Sequence, residues 1–419
     1  MKKHIPKFLL IYLFLQPFLD VIVGLSNIIG IPNIIGITVR FSFLILCLIY
    51  LFFINKEYKK ENKIYVILLT IYLSIFMIHT VITKDINVFM YEAQNTFNTF
   101  YFPIIFVAMY QIFKENKIKI KAKQLFILFL IYVGFVFFPT ILNIGLDSYA
   151  ISKTGSTGWF NSANSISSIL SLLLPFTLIY FKNNKVDPII IIITSLITAY
   201  VFLSIGTKVP ILCCTIIIGI NIIYYLIYLF KSKKIIHILI ISTILLIGIS
   251  TSFIFIPKTS FYKNIKIHMD YLEISSPLEV FSDPYLLDHF IFSQRLTFLE
   301  RTHSNYIKKD SITKLIGMGY IENYGTDNIN TKTVEMDYYD VFYRHGIIGC
   351  ILFFLPILFY LKNKHKEIKN SYTKLNIITP VIIIFVLAFF SGHIFVAPAT
   401  SIIVALLLII YDQNNLEET

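Results

Sequence analysis

The sequence predicts an all-α polytopic membrane protein of about twelve transmembrane helices, with a long, partly helical external loop between helices nine and ten. Three observations predict it. Hydrophobic residues make up 56% of the 419-residue chain and charged residues only 14%, whereas a water-soluble domain carries about 25% charge. Apolar runs long enough to cross a bilayer recur along the chain. Lysines crowd into every second connector between them, the asymmetry that orients helices across a membrane.

The apolar runs fall at 8–24, 37–54, 64–82, 99–113, 124–144, 164–181, 189–205, 209–230, 235–256, 342–361, 375–391 and 397–411. Only helices or closed barrels satisfy their backbone in lipid. The runs are continuous rather than alternating, which selects helices. The basic start, Met1 to Lys7, resembles a signal peptide. No small-residue cleavage site follows, and Gln16, Pro17 and Asp20 interrupt the run, so an uncleaved first helix is expected. The four cysteines, Cys47, Cys213, Cys214 and Cys350, lie in or beside apolar runs without metal-ligand spacing and read as small apolar residues.

The net charge of +12 need not mean a nucleic-acid partner. The lysines cluster at 2, 3 and 7; at 56, 59, 60 and 63; and at 114, 117, 119, 121 and 123. The later clusters are 182 and 185; 231, 233 and 234; and 362, 364, 366, 369 and 374. The opposite short connectors hold only Lys84, Lys153 and Lys208, with Arg40 at a helix start. This pattern predicts both termini cytoplasmic and the basic connectors against anionic lipid headgroups.

Residues 257–341 carry both charge signs and are expected outside, because long loops translocate despite their charge. Tyr285 to Tyr306 shows helical spacing, so the loop reads as a small cap within one integral membrane domain, 1–419. The sequence shows no internal repeat, Pro/Gly-rich linker or separate soluble domain.

Ionisable residues inside lipid are candidates for function. Asp20 lies in the first run, where a structural pairing with Arg40 is the plain reading. His79 and His393 lie near outer helix ends, where interfacial histidines are common. Lys208 sits in the turn Gly206-Thr207-Lys208 on the external side, either snorkelling to the interface or contacting an anion. Lys153 opens a glycine-containing loop that leads through Trp159 to Asn164, read as the cap of the next helix. The long loop contains Gln294-Arg295, His303 in Thr302-His303-Ser304-Asn305, and the stretch from Glu335 through Asp337 and Arg344 to Gly349.

Glu335 and Asp337 are either solvated carboxylates or a base able to deprotonate a hydroxyl. Lys208 and Arg295 would supply fixed positive charge at the outer surface. Together they suit transfer from a lipid-linked diphosphate sugar, whose leaving group needs charge stabilisation and whose acceptor hydroxyl needs deprotonation. Supporting roles fall to Lys153, Asn164, Arg344 and His393. No metal-ligand cluster stands out, and no metal or other cofactor is expected.

At these residues the chain resembles the O-antigen ligase and polymerase family of bacterial membrane glycosyltransferases. The resemblance rests on the twelve-helix plan, the long loop before the tenth helix, and local motifs. Gly158-Trp159-Phe160-Asn161-Ser162-Ala163-Asn164 looks like the family's glycine–aromatic–asparagine segment, and Gly206-Thr207-Lys208 stands at its serine–arginine turn. Gln294-Arg295 looks like its loop arginine motif, Leu315-Ile316-Gly317-Met318-Gly319 like its glycine pair, and His345-Gly346-Ile347-Ile348-Gly349 like its turn into the tenth helix.

The resemblance implies a polyprenyl-diphosphate-linked glycan donor, a glycan or lipid acceptor, no metal, and cations at Lys208 and Arg295 holding the diphosphate. There are two departures: lysine replaces arginine at Lys208, and Glu335-Met336-Asp337 stands where many members carry a histidine–asparagine pair. The latter form looks like a Gram-positive branch, so a histidine base does not carry over. The implied reaction is polymerisation or ligation of a cell-surface polysaccharide such as capsule. The alternative is a lipid-linked oligosaccharide flippase; twelve helices fit one, but no related halves are visible and the suspicious charges gather at the outer surface rather than midplane. A membrane sensor would call for a signalling domain, which the sequence does not show.

Overall fold

The computed structural model describes residues 5–31, 34–149, 153–234, 236–237, 242–243, 248, 254–361, 368 and 370–417. Among them, ten helices are long and apolar enough to cross a membrane. They are α1 (Ile5–Ile29), α2 (Ile34–Ile49, whose span runs on through a wider turn to Ile54), α3 (Lys59–Thr83), α4 (Phe89–Asn116), α5 (Ala122–Ile141), α6 (Ala163–Asn183), α7 (Pro188–Ile205) and α8 (Lys208–Lys231), then α12 (Asp337–Tyr360) and α13 (Ser371–Phe390). Between α8 and α12 lie the cap helices α9 (Ser260–Tyr271), α10 (Arg295–Ile307) and α11 (Ser311–Ile316). A shorter apolar helix, α14 (Pro398–Gln413), completes the bundle. The chain is thus an all-α polytopic membrane protein. The expected ninth run, 235–256, falls mostly outside the described residues, as do the lysines at 362, 364, 366 and 369.

Helices α4, α6 and α14 form the centre, and α3, α7 and α8 the lipid-facing rim. At about 1.5 Å per residue the sixteen residues of α14 span roughly 24 Å, less than a hydrocarbon layer of about 30 Å. Residues 400–410 of α14 are buried against other helices, so protein rather than lipid sets its length. Helix α4 begins ten residues earlier than its apolar run, because Glu92, Thr96 and Thr99 face inward. Asp20 and Arg40 form a buried ion pair between α1 and α2, as their positions suggested.

The cap is locked into the bundle through a break in α12. Gly346 adopts φ +63° and ψ −171°, which interrupts the helix. The end of α11 plugs that break: Met318 N donates to Tyr343 O at 3.1 Å and Gly319 N to Arg344 O at 2.9 Å. The Tyr72 hydroxyl of α3 lies between the carbonyls of Ile316 and His345, at 2.9 and 2.7 Å, and its one proton is shared between them. A Cβ on Gly317 would overlap the Arg344 carbonyl, and one on Gly346 would crowd Leu315 and Gly317 backbone. Both glycines also have positive φ, so the motifs Gly317-Met318-Gly319 and His345-Gly346 are two halves of one joint.

Gly317→Ala is expected to destabilise the purified protein by more than about 2 kcal/mol, through backbone overlap and positive φ. Gly219→Ala, in α8 with open space around it, should leave thermal stability unchanged or slightly raised. Equal melting temperatures for the two variants would contradict the joint.

Candidate functional site

The site is assembled where the cap meets the ends of α8 and α12. Two carboxylates at the start of α12 shape it. Asp340 accepts from the backbone N–H groups of Val334 and Met336, at 2.8 and 3.3 Å. It thereby steadies the turn in which Glu335 takes a left-handed φ of +61°. Asp337 accepts from His393 N, Ile394 N and Phe395 N, at 2.7, 2.9 and 2.7 Å. Gly392 completes the contact, since a Cβ there would overlap the Glu335 carbonyl.

Asp337 therefore differs from its expected role. Its side chain is 0% exposed and both oxygens are taken by backbone donors, so it anchors the 391–397 turn. Glu335 remains as the carboxylate at the surface. It pairs with Arg295 at 3.1 Å and with Lys332. Burial pushes its pKa up, but the Lys332 hydrogen bond and the charges of His393, Lys332 and Arg295 outweigh burial and hold it below the ordinary 4.5. Half-buried His393 sits beside this pair. Burial lowers its pKa first; Glu335 pulls it up while Arg295 and Lys332 push it down, leaving it below 6.5.

Arg295 and Lys208 are brought to one turn of the cap, residues 288–292. Arg295 Nη1 donates to Phe292 O at 3.3 Å. The Lys208 ammonium donates to Phe290 O and lies 4.1 Å from the centre of the Phe290 ring. Asp288 caps α10 by accepting from Leu296 N and Thr297 N, at 2.8 and 3.0 Å, and this sets where Arg295 projects. Asn264 of α9 ties the neighbouring loops together, accepting from Thr154 N at 2.7 Å and donating to Gly206 O at 3.0 Å. Lys153 lies 5.2 Å from the Tyr149 ring, and its pKa is lowered by burial. The crowding of positive charge shows at His268: burial, then Lys208 and Lys153, push its pKa down to about 4.

Two other expectations land elsewhere. Asn164 is the second residue of α6; the cap is Ser162, whose side chain accepts from Ser165 N at 3.2 Å. Arg344 is wholly buried, pairing with Glu322 at 2.8 Å and donating to Lys332 O at 3.1 Å, so it supports the cap from within. Exposed His303 of α10 meets the Tyr343 hydroxyl at 3.0 Å.

Sequence reading missed a second tier of polar residues beneath the cap. Glu92 pairs with Lys84 at 2.5 Å and accepts from Tyr320 N and Ile321 N, at 2.8 and 3.0 Å. His345 meets the Tyr320 hydroxyl at 2.9 Å between the rings of Phe76 and Phe100. A carboxylate close before an apolar run was the available signal for Glu92. Among the described residues, no three His, Cys, Asp or Glu side chains come together to hold a metal ion.

This cationic turn, facing a paired carboxylate at the mouth of a broken helix, sits in a chain that the family described as O-antigen ligase like membrane protein matches over residues 2–279 and 285–414. The protein belongs to that family. No curated protein matches the chain. No solved structure matches it either. As an O-antigen ligase-like protein it is a multi-pass membrane protein associated with polysaccharide biosynthesis.

Because Glu335 has a lowered pKa, its ion pairs hold above about pH 4.5 and are lost as the pH falls through its lower folded-state value. Limited proteolysis of the O-antigen ligase-like protein across pH 7 to 3 should show the cap opening on acidification. In Glu335→Gln the chain around Lys332 should be cut faster already at neutral pH, with a smaller acid-induced change, while the buried ties keep the cap in place. An unaltered profile in that variant would place the acid step elsewhere.

Proposed function

We propose that the protein is a glycosyltransferase-type polymerase or ligase of a cell-surface polysaccharide, using a polyprenyl-diphosphate-linked glycan donor at the outer face of the plasma membrane. The observation that carries this reading is the placement of Lys208 and Arg295 on one turn of the cap, with Glu335 paired to Arg295. Lys208 and Arg295 bind the donor diphosphate, arginine in bidentate fashion.

The resting pair is itself informative. Diphosphate binding to Arg295 displaces the Glu335 carboxylate, which loses a stabilising cation and becomes a stronger base. Glu335 then takes the proton of the acceptor hydroxyl as its oxygen attacks the anomeric carbon. The bond from that carbon to the diphosphate oxygen breaks, and the polyprenyl diphosphate leaves with its charge held by Lys208 and Arg295. His393, beside Glu335, positions the acceptor. Lys153 adds to the positive field around the leaving group.

The described lysine-rich connectors gather at one end of the bundle, where Lys114 pairs with Glu57, Lys182 lies over the Tyr372 ring and Ile120 pairs with Leu416, and this supports cytoplasmic termini and an external loop. A single cysteine at exposed Lys308 should react with an impermeant thiol reagent in intact cells when the native cysteines are replaced. Protection there would reverse the orientation.

Arg295→Ala, Lys208→Ala and Glu335→Gln should each lower turnover about 100-fold or more, corresponding to about 2.7 kcal/mol of transition-state stabilisation, with membrane expression checked. Asp337→Asn should lower folded yield before it lowers the turnover of folded protein. Retained turnover in both cation variants removes the diphosphate site. In a deletion strain, accumulated lipid-linked single repeat units indicate a polymerase, and accumulated lipid-linked polymer a ligase. Normal glycan contradicts both.

A further inference from the structure

The Asp20–Arg40 pair takes no part in the chemistry above, yet it lines a cavity of about 160 Å³. The other walls are the starts of α6 and α14, with Asn161, Ser162, Ser165 and Ala399 among the lining residues. Arg40 is 8% exposed, and one of its terminal nitrogens bonds Asp20. Its Nε is buried with no hydrogen-bond partner. Asp20 is more fully engaged, since its second oxygen accepts from the Tyr132 hydroxyl at 3.4 Å. The guanidinium is therefore the member of the pair left with bonding capacity, and Arg40 lines the cavity.

Two helix N-termini border the same space. Helix α14 begins at Ala397-Pro398 with no side-chain cap, and α6 begins at Ser162, whose side chain accepts only from Ser165 N. Arg40 and Asp20 cancel in charge, while each helix N-terminus contributes about half a positive charge. The sum is near one positive charge among N–H and O–H donors, the complement of a phosphate. Asp20 lies six residues before the end of the first span at Ser26, about 9 Å below it at 1.5 Å per residue. A cavity at that depth is reached from within the bilayer.

The cavity is tied to the site through the backbone. Ala397 and Pro398 continue the turn that Asp337 pins, and the other end of that turn is His393, beside Glu335 and Arg295. We propose that this cavity is a second phosphate subsite, which holds the phosphate of a membrane-embedded lipid. Taken with the donor site of the preceding section, on which this step rests, the second phosphate belongs to the acceptor. The reaction it fits is the joining of two lipid-linked glycans, which is polymerisation.

The test is native mass spectrometry of the full-length protein in detergent with undecaprenyl phosphate, undecaprenol or phosphatidylglycerol. The informative variant is Ser165→Glu. It places a negative charge in the cavity while forming a capping box with Ser162, so the start of α6 is retained. The double variant Asp20→Asn/Arg40→Gln removes the ion pair without leaving a lone buried charge.

Wild-type protein should retain two undecaprenyl phosphates. Ser165→Glu and the double variant should each retain one, with the lost copy bound at least tenfold more weakly, and Lys208→Ala/Arg295→Ala should also retain one. Two copies bound to Ser165→Glu at unchanged affinity, or undecaprenol bound as well as its phosphate, overturns the subsite. Displacement of one copy by phosphatidylglycerol supports the phosphate subsite but assigns it to a bilayer lipid, overturning the acceptor assignment. Two copies on Lys208→Ala/Arg295→Ala sink the donor site and leave this one standing.

Discussion

The buried carboxylate of Asp337 takes three backbone N–H groups from residues 393–395, and the candidate site is built around that joint. It fixes the start of α12 against the turn before α14, two segments far apart in sequence. Asp340, one turn along the same helix, fixes the strand of chain that carries Glu335. Neither carboxylate needs to touch substrate to matter. A buried acceptor satisfied by several N–H groups is costly to replace, because any substitute leaves those donors unpaired.

Around this joint the cap is held by polar ties that compensate one another. Arg344 pairs with Glu322, and Glu92 pairs with Lys84 while receiving the backbone of residues 320 and 321. Removing one partner from a buried pair leaves an uncompensated charge, which costs about 3–5 kcal/mol. Such ties hold a long loop in one arrangement above the bundle. The surface pair of Arg295 and Glu335 is different in kind. It is partly exposed, Glu335 more so than Arg295.

The conspicuous motifs divide between these tasks. Gly317 and Gly346 carry the interlock of α11 with the break in α12, where close backbone approach leaves no room for a Cβ. Gly206 turns the chain between α7 and α8 and is clamped by Asn264. Arg295 and Lys208 stand at the surface these joints create. The family match over nearly the whole chain agrees with a plan in which dispersed short motifs meet in space.

By itself the sequence determined the membrane class, most of the spans and the existence of a cap, because hydropathy and lysine placement are local properties summed along the chain. It also pointed to the Asp20–Arg40 pair, since two opposite charges inside lipid have few other ways to be satisfied. It could not separate Glu335 from Asp337, two residues apart and chemically alike. Only the tertiary structure decided that one is buried under the 391–397 turn while the other meets Arg295 and Lys332. The same holds for Glu92, whose partner Tyr320 lies 228 positions away. A carboxylate's role follows from which donors reach it, and those donors come from distant segments that only packing brings together.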